Sequence, residues 1–427
     1  MKVREVALDC LSRIMLQKSY SHIDLDHTLK TAPLNEKDKA LLTNIVYGTL
    51  QHANLLKWEI SLHIKNDKTH PKMMILLMMS LYQMRYLDKI PNYAILNEAV
   101  NLAKKLDGNW GGRFCNGVLR TLSREKKEPQ LQDFKTCEEY YHILYNHPIW
   151  VIKMWEKYYG KEITLKILQE NEKEAPLTVR LDPLLLTKEK LLENPNFVKT
   201  KLCDNAFYYI GKEPLWELKE IKNGEICVQD EASQYVSIIL NPLDHEKVLD
   251  MCAAPGSKTI HIASLMHNTG KILAIDIHPH RVALIDQNIK RHRLTNIVTK
   301  CYDATLLANK MRLNYFDKIL VDAPCSGLGV IRRKPDILLD ITPDQIEDLT
   351  LIQEKLLENA YVLLKPNGYL VYSTCTISKK ENEMQIIKFL SKHKDMKKVY
   401  ERQLFPFEYN SDGFYIAKLQ KIGENNE

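Results

Sequence analysis

The chain has 427 residues, which is too long for one ordinary domain and predicts two or three. Its apolar content of 45% and charged content of 27% are typical of a globular protein, and the apolar run 73–79 is far too short to cross a bilayer. Residues Met1 to Glu5 lead straight into an amphipathic helix and not into a secretion signal, so we expect a cytoplasmic protein that does not enter the membrane.

The cysteine pattern speaks against a metal site and a disulfide framework, and the charge distribution bears on the binding partner. Nine cysteines stand singly, without a Cys-x-x-Cys or Cys/His cluster, so neither a metal site nor a disulfide framework is predicted. The net charge of +6 is unevenly placed, because residues 1–128 hold 20 Lys and Arg against 13 Asp and Glu. This surplus favours a polyanionic partner for the first part of the chain, although the solvated surface of a helical domain explains it equally well.

Residues 1–128 are predicted to form an all-α domain. Apolar residues recur at helical spacing in five stretches, and short connections between them favour a helical bundle. The predicted helices cover Val6–Met15, Ala40–Leu50, Lys72–Leu87, Tyr93–Leu106 and, after Gly111-Gly112, residues 113–120. The helix at 72–87 is apolar almost all round, so we expect it at the centre of the bundle.

A charged segment, Ser123–Pro129, breaks the helical pattern and marks a predicted domain boundary. Residues 140–242 are predicted to form a small α+β module, with helices near 150–158 and 164–171 and strands at 177–181 and 206–210. The aromatic residues of the second strand stand beside basic residues and could stack on bases, but such aromatics are more often part of a core.

Residues 243–427 alternate between strands and helices, which predicts a doubly wound parallel sheet. The predicted strands cover 247–250, 271–276, 296–301, 316–322 and 368–374, and a long helix covers 342–364. The alternating tail 413–419 is predicted to be an edge strand.

The stretch Asp250–Thr259 carries the first functional motif. It follows a buried strand and precedes a helix, and Pro255 and Gly256 suit a tight turn whose helix start attracts a polar or anionic ligand. Twenty residues after Gly256, the next strand ends at Asp276, where a Rossmann-like unit places the carboxylate that takes both ribose hydroxyls of an adenosine. The absence of G-x-G-x-x-G speaks against a dinucleotide, and any βαβ unit with a loop proline would share this first motif.

Residues at the carboxyl ends of the other strands converge on the same ligand-binding edge. They are Asp250, Cys252, Asp276, Asp303, Asp322, Cys325 and Cys375. Two cysteines on adjacent strand ends favour cytosine chemistry, because C5 of cytosine becomes nucleophilic only after a thiolate adds to C6. Asp322, if protonated at that moment, would support the addition at N3. An N-methylating enzyme would instead show Asn/Asp-Pro-Pro-aromatic where this chain has Asp322-Ala-Pro-Cys325.

Three motifs together resemble the RNA cytosine-5 methyltransferases of the NOL/NOP/Sun class. They are Asp250-Met-Cys-Ala-Ala-Pro-Gly-Ser-Lys-Thr259, Asp322-Ala-Pro-Cys-Ser-Gly-Leu-Gly329 and Tyr372-Ser-Thr-Cys-Thr376. About the first 125 residues, through Arg4–Ala7 and Phe114–Arg120, resemble the NusB-type RNA-binding domain. The whole chain is therefore similar to members of that class that act on small-subunit (16S) rRNA.

This resemblance implies a multidomain protein. Its parts are an all-α NusB-like helical bundle (1–128), a small α+β linker or RNA-binding module (140–242) and a C-terminal α/β Rossmann-like S-adenosylmethionine-dependent methyltransferase domain (243–427). It also implies an rRNA partner and a monomer.

The resemblance assigns roles to individual residues as well. It makes Cys375 the nucleophile, gives Cys325 a role in product release, and adds Asp322 to the catalytic set. The implied cofactor-binding residues are Cys252, Ala253, Ala254, Pro255, Gly256, Ser257, Lys258, Asp276, Asp303 and Asp322. Ser257 replaces the more usual second glycine of that motif, and Asp182 stands where the class more often has asparagine.

Two rival functions stay open on the sequence alone. One is a cytosine-5 methyltransferase with the same chemistry that acts on tRNA or large-subunit rRNA. The other is a non-enzymatic RNA-binding factor that uses residues 1–128. A smaller question concerns Arg332-Arg333-Lys334, which is either a solvated loop or a phosphate contact.

Overall fold

The computed structural model describes residues 3–19, 21–64 and 69–423. The remaining positions, which the predicted ranges 1–128 and 243–427 include, lie outside the described residues. The chain divides into two compact units. The first comprises Met1–Lys173 and the distal segment Ile331–Asp340, and the second comprises Glu174–Val330 and Ile341–Glu427.

The first unit is helical, as predicted. Its helices are α1 (Val3–Gln17), α2 (Ser21–Thr31), α3 (Glu36–Gln51), α4 (Ala53–Ser61), α5 (Pro71–Tyr86), α6 (Asn92–Arg124), α7 (Cys137–Leu144), α8 (Ile149–Tyr159), α9 (Lys161–Asn171) and α15 (Ile337–Asp340). Every residue from Met73 to Gln83 in α5 is buried, which confirms the central helix expected from its all-round apolar surface. Close packing requires Gly48 on α3, because a Cβ there would lie 1.9 Å from the Tyr82 ring on α5.

The helix α6 contains a sharp break directly after Leu106, where the first of two helices was predicted to end. A new helix was expected after Gly111-Gly112, but the non-helical residues are Asp107 and Gly108, and Gly108 has φ +56°. Glycine accepts this left-handed conformation without a Cβ penalty. Gly111 has a different role, since a Cβ there would lie 2.8 Å from the Ala103 carbonyl oxygen.

The distal segment 331–340 packs as part of the first unit. The Arg332 guanidinium lies 3.3 Å from the Glu170 carboxylate, and the two side chains are 2% and 9% exposed. The backbone N–H and the hydroxyl of Ser21 donate to the Asp336 carboxylate. The Arg332 side chain is therefore a buried structural cation, neither solvated nor exposed to a phosphate, and a phosphate contact by Arg333 or Lys334 stays a prediction.

The two compact units do not coincide with the three predicted domains. Helices α7 to α9, which the sequence assigned to the module 140–242, belong to the first unit. The three ranges 1–128, 140–242 and 243–427 stay a prediction about domains.

A small antiparallel sheet opens the second unit. Its strands are β1 (Thr178–Leu181), β2 (Phe197–Lys199), β3 (Ala206–Tyr209) and β4 (Ile226–Val228), in the order β2-β3-β1-β4, with helices α10 (Lys188–Leu192), α11 (Lys219–Lys222) and α12 (Glu231–Leu240). β2 and β4 were not predicted, because three-residue strands carry too little alternation to be recognised. Phe207 and Tyr209 are buried, which confirms that these aromatics belong mainly to a core.

The large sheet has seven strands in the order β10-β11-β9-β8-β5-β6-β7. The strands are β5 (Lys247–Asp250), β6 (Lys271–Asp276), β7 (Ile297–Cys301), β8 (Phe316–Asp322), β9 (Leu364–Thr374), β10 (Met396–Leu404) and β11 (Phe414–Lys421). The accompanying helices are α13 (Ser257–Leu265), α14 (Pro279–Arg291), α16 (Pro343–Leu363), α17 (Glu383–Lys392) and α18 (Pro406–Tyr409). β7, β6, β5, β8 and β9 pair in parallel, β11 pairs antiparallel with β9, and β10 pairs antiparallel with β11.

Two findings about this sheet bear on function. The tail strand β11 is not the edge strand that was predicted, because β10 pairs with its outer side. The direction of winding reverses between β5 and β8, so the carboxyl ends of these strands form a topological switch point, where α/β proteins bind ligands.

Among the described residues, no helix is both long and apolar enough to span a membrane.

Candidate active site

The loop from β5 to α13 lies at this switch point and is held by neighbouring strands. The N–H of Met251 donates to the Leu320 carbonyl on β8 at 3.0 Å, and the N–H of Ala253 donates to the Ile275 carbonyl on β6 at 2.8 Å. Gly256 caps α13 with φ +103°, and a Cβ there would lie 3.2 Å from the Ile285 side chain. The loop therefore approaches α14 closely and presents the free N–H groups of the α13 start.

Asp250 is a buried member of the site and not a surface ligand. It is 1% exposed, and Thr259 donates its hydroxyl to one carboxylate oxygen at 2.7 Å. Burial raises the pKa of Asp250 to about 7, with the nearby charge of Asp322 adding to the shift and the Thr259 hydrogen bond opposing it. The folded protein consequently holds a proton on Asp250 over a pH range in which the unfolded chain has lost it.

This raised pKa predicts a pH-dependent loss of stability. Between about pH 4 and pH 7 the folded state binds more protons than the unfolded state, so stability falls as pH rises, by on the order of 4 kcal/mol at most. Asp250→Asn should remove this dependence. The thermal unfolding midpoint should therefore fall more between pH 5 and pH 7.5 in the native protein than in the variant. Asp303→Asn is the control, and parallel pH curves for native protein and Asp250→Asn would contradict the assignment.

The predicted adenosine ligands lie at the ends of β6 and β7. Asp276 is 4% exposed, accepts a hydrogen bond from the His278 N–H at 3.0 Å, and lies 3.6 Å from the Arg281 guanidinium. Asp303 follows β7 and accepts hydrogen bonds from the N–H and hydroxyl of Thr305. Carboxylates at two neighbouring strand ends, beside the loop 250–259, suit the hydroxyl and ammonium groups of S-adenosylmethionine. The individual cofactor roles stay predictions.

Lys258 joins the first motif to the second. Its ammonium group donates to the Asp322 carboxylate at 2.7 Å, and the Ser373 hydroxyl donates to the other oxygen of Asp322 at 2.8 Å. Burial lowers the pKa of Lys258, but the charge and hydrogen bond of Asp322 outweigh it, with a further contribution from Cys375, so the pKa is raised overall. Lys258 was predicted only as a cofactor residue, and the structure bonds it to Asp322, which was predicted to be catalytic.

The two predicted catalytic cysteines meet at this edge. The sulfur atoms of Cys325 and Cys375 lie 3.4 Å apart. The hydrogen bond with Cys375 and burial raise the pKa of Cys325 well above its usual value. Burial also raises the pKa of Cys252, the third cysteine in the vicinity, which lowers its thiolate content as it does for Cys325.

Backbone contacts hold the two cysteine turns together. The Gly329 N–H donates to the Cys375 carbonyl at 3.0 Å, and the Ala323 N–H donates to the Ser373 carbonyl at 2.8 Å. A Cβ at Gly329 would lie 2.0 Å from the Gly413 carbonyl oxygen, so only glycine fits there. The separation of the sulfurs is therefore set by the strand ends and not by flexible loops.

Sequence reasoning missed a polar network beneath the cysteines. Asn382 accepts a hydrogen bond from the Thr374 hydroxyl at 2.6 Å and donates to the Thr376 carbonyl at 3.0 Å. Ser326 and Thr376, each next to a cysteine, share a hydroxyl hydrogen bond of 2.7 Å. Glu381 contacts Ser326 from the buried side. The available signal was the Glu381-Asn-Glu383 run shortly after Cys375, which resembles an ordinary solvated turn until the fold buries it.

A parallel sheet with a ligand-binding switch point, together with paired thiols beside a Lys–Asp pair, defines a methyltransferase of the Rossmann-like class. The sequence matches the family described as "16S rRNA methyltransferase RsmB/F" over residues 237–420, the NusB family over 1–124, and the "Methyltr_RsmF/B-like, ferredoxin-like domain" over 147–194. The NusB match confirms the predicted NusB-like domain, and S-adenosylmethionine is the methyl donor of this class.

Relatives match over nearly the whole chain. The "Probable ribosomal RNA small subunit methyltransferase B" of Bacillus subtilis is 37% identical, covering 99% of both chains, and that of Synechocystis is 32% identical, covering 98% and 99%. The crystal structure of a protein called PH0851 is similar with a TM-score of 0.82 and 25% identity, covering 98% and 99%. A methyltransferase homologue from Pyrococcus horikoshii gives 0.60 and 28%, covering 68% and 100%. The chain belongs to the RsmB/F family of rRNA methyltransferases.

Proposed function

We propose that this protein methylates C5 of a cytosine in small-subunit (16S) rRNA through a covalent bond between Cys375 and C6. The observation that carries the proposal is the pair of thiols 3.4 Å apart beside the Lys258–Asp322 pair. The names of the relatives support the choice of small-subunit rRNA. We also propose that the protein acts as a monomer in the cytoplasm, where the small-subunit rRNA of bacteria is made.

The side chains divide the chemistry as follows. The Cys375 thiolate adds to C6, and the electron pair of the C5–C6 bond becomes available at C5, with N3 taking a proton from Asp322. Lys258 supplies that proton to Asp322 along their 2.7 Å hydrogen bond. S-adenosylmethionine, when bound, supplies the methyl group. Removal of the C5 proton then restores the C5–C6 double bond, expels the Cys375 thiolate and returns the N3 proton.

The rival functions differ in substrate or in the presence of any reaction. Full-length protein should be incubated with a labelled methyl donor in four separate reactions. These contain 16S rRNA, small-subunit particles, 23S rRNA or tRNA. We expect 5-methylcytidine in digested small-subunit rRNA, measured by mass spectrometry of nucleosides. Label in tRNA or 23S rRNA alone would favour the first rival, and RNA binding without any transfer would favour the second.

The first unit offers a surface for the RNA. The exposed face of α6 carries Trp110, Arg113, Arg120 and Arg124, which lie within an arc of about 80° and span about 21 Å of helix. Trp110 is 61% exposed and stacks on Phe114 with centroids 5.4 Å apart. None of the three arginines is ion-paired with another residue that the structure describes. Unpaired guanidinium groups beside an exposed aromatic ring suit phosphates and an unstacked base.

We therefore expect Arg113→Gln/Arg120→Gln/Arg124→Gln to bind 16S rRNA about tenfold more weakly near physiological salt. The slope of log affinity against log salt should be shallower by about 2, because three phosphate contacts are lost. Filter binding from 50 to 300 mM salt measures both quantities. Lys37→Gln/Lys57→Gln/Lys89→Gln removes the same charge from other exposed sites of this unit, and equal losses in both triple variants would contradict a specific role for the α6 face.

A further inference from the structure

Glu381 is a buried carboxylate beneath the two catalytic turns. It lies between the end of β9, which carries Cys375, and the start of α17, and its side chain is fully buried. No step of the proposed reaction uses it. Its nearest contacts are with the residue that follows Cys325.

The contacts of Glu381 are all hydrogen-bond donors. The Ser326 N–H donates to one carboxylate oxygen at 2.7 Å, and the Ser326 hydroxyl donates to the other at 2.6 Å. The Gln353 amide donates at 3.4 Å and the Thr376 hydroxyl, next to Cys375, at 3.5 Å, and no Lys, Arg or His among the described residues forms an ion pair with Glu381. Donors favour the ionised form while burial opposes it, and burial raises the pKa of Glu381.

The charges around the two sulfurs are therefore unequal. Glu381 lies on the Cys325 side, where its hydrogen bonds fix the Cys325–Ser326 turn. The Lys258 ammonium lies on the other side, beside Asp322, and interacts electrostatically with Cys375. Tyr372 and the carboxylates Asp250 and Asp322 also face this group of side chains. Glu381 is bonded most closely to the turn of Cys325, because its two hydrogen bonds from Ser326 are 2.6 and 2.7 Å long and its contact with Thr376, beside Cys375, is 3.5 Å long.

We propose that Glu381 is a positioning residue whose carboxylate keeps the proton on Cys325, so that Cys375 is the thiolate that attacks C6. The inference deepens the proposed function and rests on it. The two sulfurs lie 3.4 Å apart, and either of them can donate a proton to the other. A negative charge on the Cys325 side and a positive charge on the Cys375 side give the two thiols different tasks.

The same arrangement orders the later steps. When Cys375 forms its bond to C6 it becomes a neutral thioether, and its charge no longer opposes ionisation of Cys325. Cys325 then loses its proton to solvent water and, as a thiolate, removes the C5 proton after methylation. The C6–sulfur bond breaks, leaving Cys325 protonated and Cys375 ionised, as at the start. One proton is released to solvent in each cycle.

Alkylation of the cysteines tests the proposal without RNA or methyl donor. Full-length protein is treated with iodoacetamide from pH 6 to pH 9.5, and peptide mass spectrometry gives the rate at Cys325 and at Cys375. In the native protein the Cys325 midpoint should lie at least one pH unit above that of Cys375. Glu381→Gln should shift the ratio of labelling towards Cys325 about tenfold, which corresponds to one unit of pKa.

Two further variants separate charge from packing. Glu383→Gln alters a partly buried carboxylate two residues away that is not bonded to either cysteine turn, and its labelling ratio should equal the native one. Glu381→Asp keeps the charge and should stay close to native. An unchanged ratio in folded Glu381→Gln, or an equal shift in Glu381→Asp, overturns the proposal.

Two remaining outcomes keep the test decisive. If Glu381→Gln does not fold, a Cys325 midpoint below that of Cys375 in the native protein overturns the proposal. Failure of methyl transfer to rRNA with a normal labelling ratio would instead count against the proposed function alone.

Discussion

Cys375→Ala is expected to abolish methyl transfer and to form no covalent RNA adduct. The variant lacks the thiolate that adds to C6, and without this addition C5 of cytosine does not react with a sulfonium methyl group. The nearby Cys325 should not replace it, because burial holds the pKa of Cys325 high even without the Cys375 thiol, and the Glu381 charge remains on its side. Denaturing gels of protein incubated with rRNA and methyl donor measure the adduct, and nucleoside mass spectrometry measures the product.

Cys325→Ala is the matched variant, and its expected result is the opposite. It should still attack and methylate, but release slowly and accumulate an adduct that survives denaturation. The position of the two sulfurs at adjacent strand ends leaves the assignment symmetrical, and only the charged groups around them distinguish one from the other. DNA cytosine-5 methyltransferases use the cysteine of the Pro-Cys motif, which is Cys325 here. A trapped adduct with Cys375→Ala and none with Cys325→Ala would exchange the two roles.

Asp276→Ala is expected to weaken S-adenosylmethionine binding by about 2 kcal/mol, or about 30-fold in Kd, because charge-assisted hydrogen bonds to the ribose hydroxyls would be lost. The carboxylate is nearly buried at the end of β6, beside the loop 250–259. Calorimetric titration of the full-length protein with the cofactor measures this directly. No RNA is required, so the result is independent of the substrate.

Asp286→Ala controls for a general effect of removing a carboxylate from this part of the sheet. Asp286 lies on α14 and accepts a hydrogen bond from the Thr299 hydroxyl at 2.7 Å, away from the strand ends. Its affinity for the cofactor should match that of the native protein. Unchanged binding by Asp276→Ala would remove Asp276 from the cofactor site and leave Asp303 and Asp322 as the remaining predicted acidic ligands there.

We expect the two units to have different tasks, RNA binding by the basic helical unit and methyl transfer by the unit that contains the large sheet. The α6 face can bind phosphates without sequence preference, and the second unit can then select a base by its chemistry at Cys375 and Asp322. Because Lys258 lies in the predicted cofactor loop and is bonded to Asp322, we expect cofactor binding and thiolate formation to depend on the same ammonium group. Substitution of Lys258 would therefore not separate these functions, whereas Asp276 and Cys375 separate them cleanly.

The amino-acid pattern alone determined the elements that carry strong local signals. Burial and turn chemistry restrict which residue types can follow one another, so these elements could be predicted. They are the all-apolar run of α5, the parallel strands that end in Asp250, Asp276 and Asp322, and the three motifs with both cysteines. Strand β10 was missed because Lys397, Lys398 and Glu401 give it the composition of a solvated loop. Its presence also explains why β11 is an internal strand, since neighbours in a sheet are chosen by long-range pairing.

Only the tertiary structure decided how the polar side chains are paired. Lys258 and Asp322 are 64 positions apart, and Ser326 and Glu381 are 55 apart, yet each pair is bonded at 2.7 Å. The compact unit that gathers 331–340 with the helices of 1–173 likewise depends on contacts such as Arg332–Glu170. A charged residue shows the same letter in a sequence whether it is solvated or buried. Its role depends on which distant group the fold brings to it, because burial and partners, not residue type, set its charge state and its strength as an interaction.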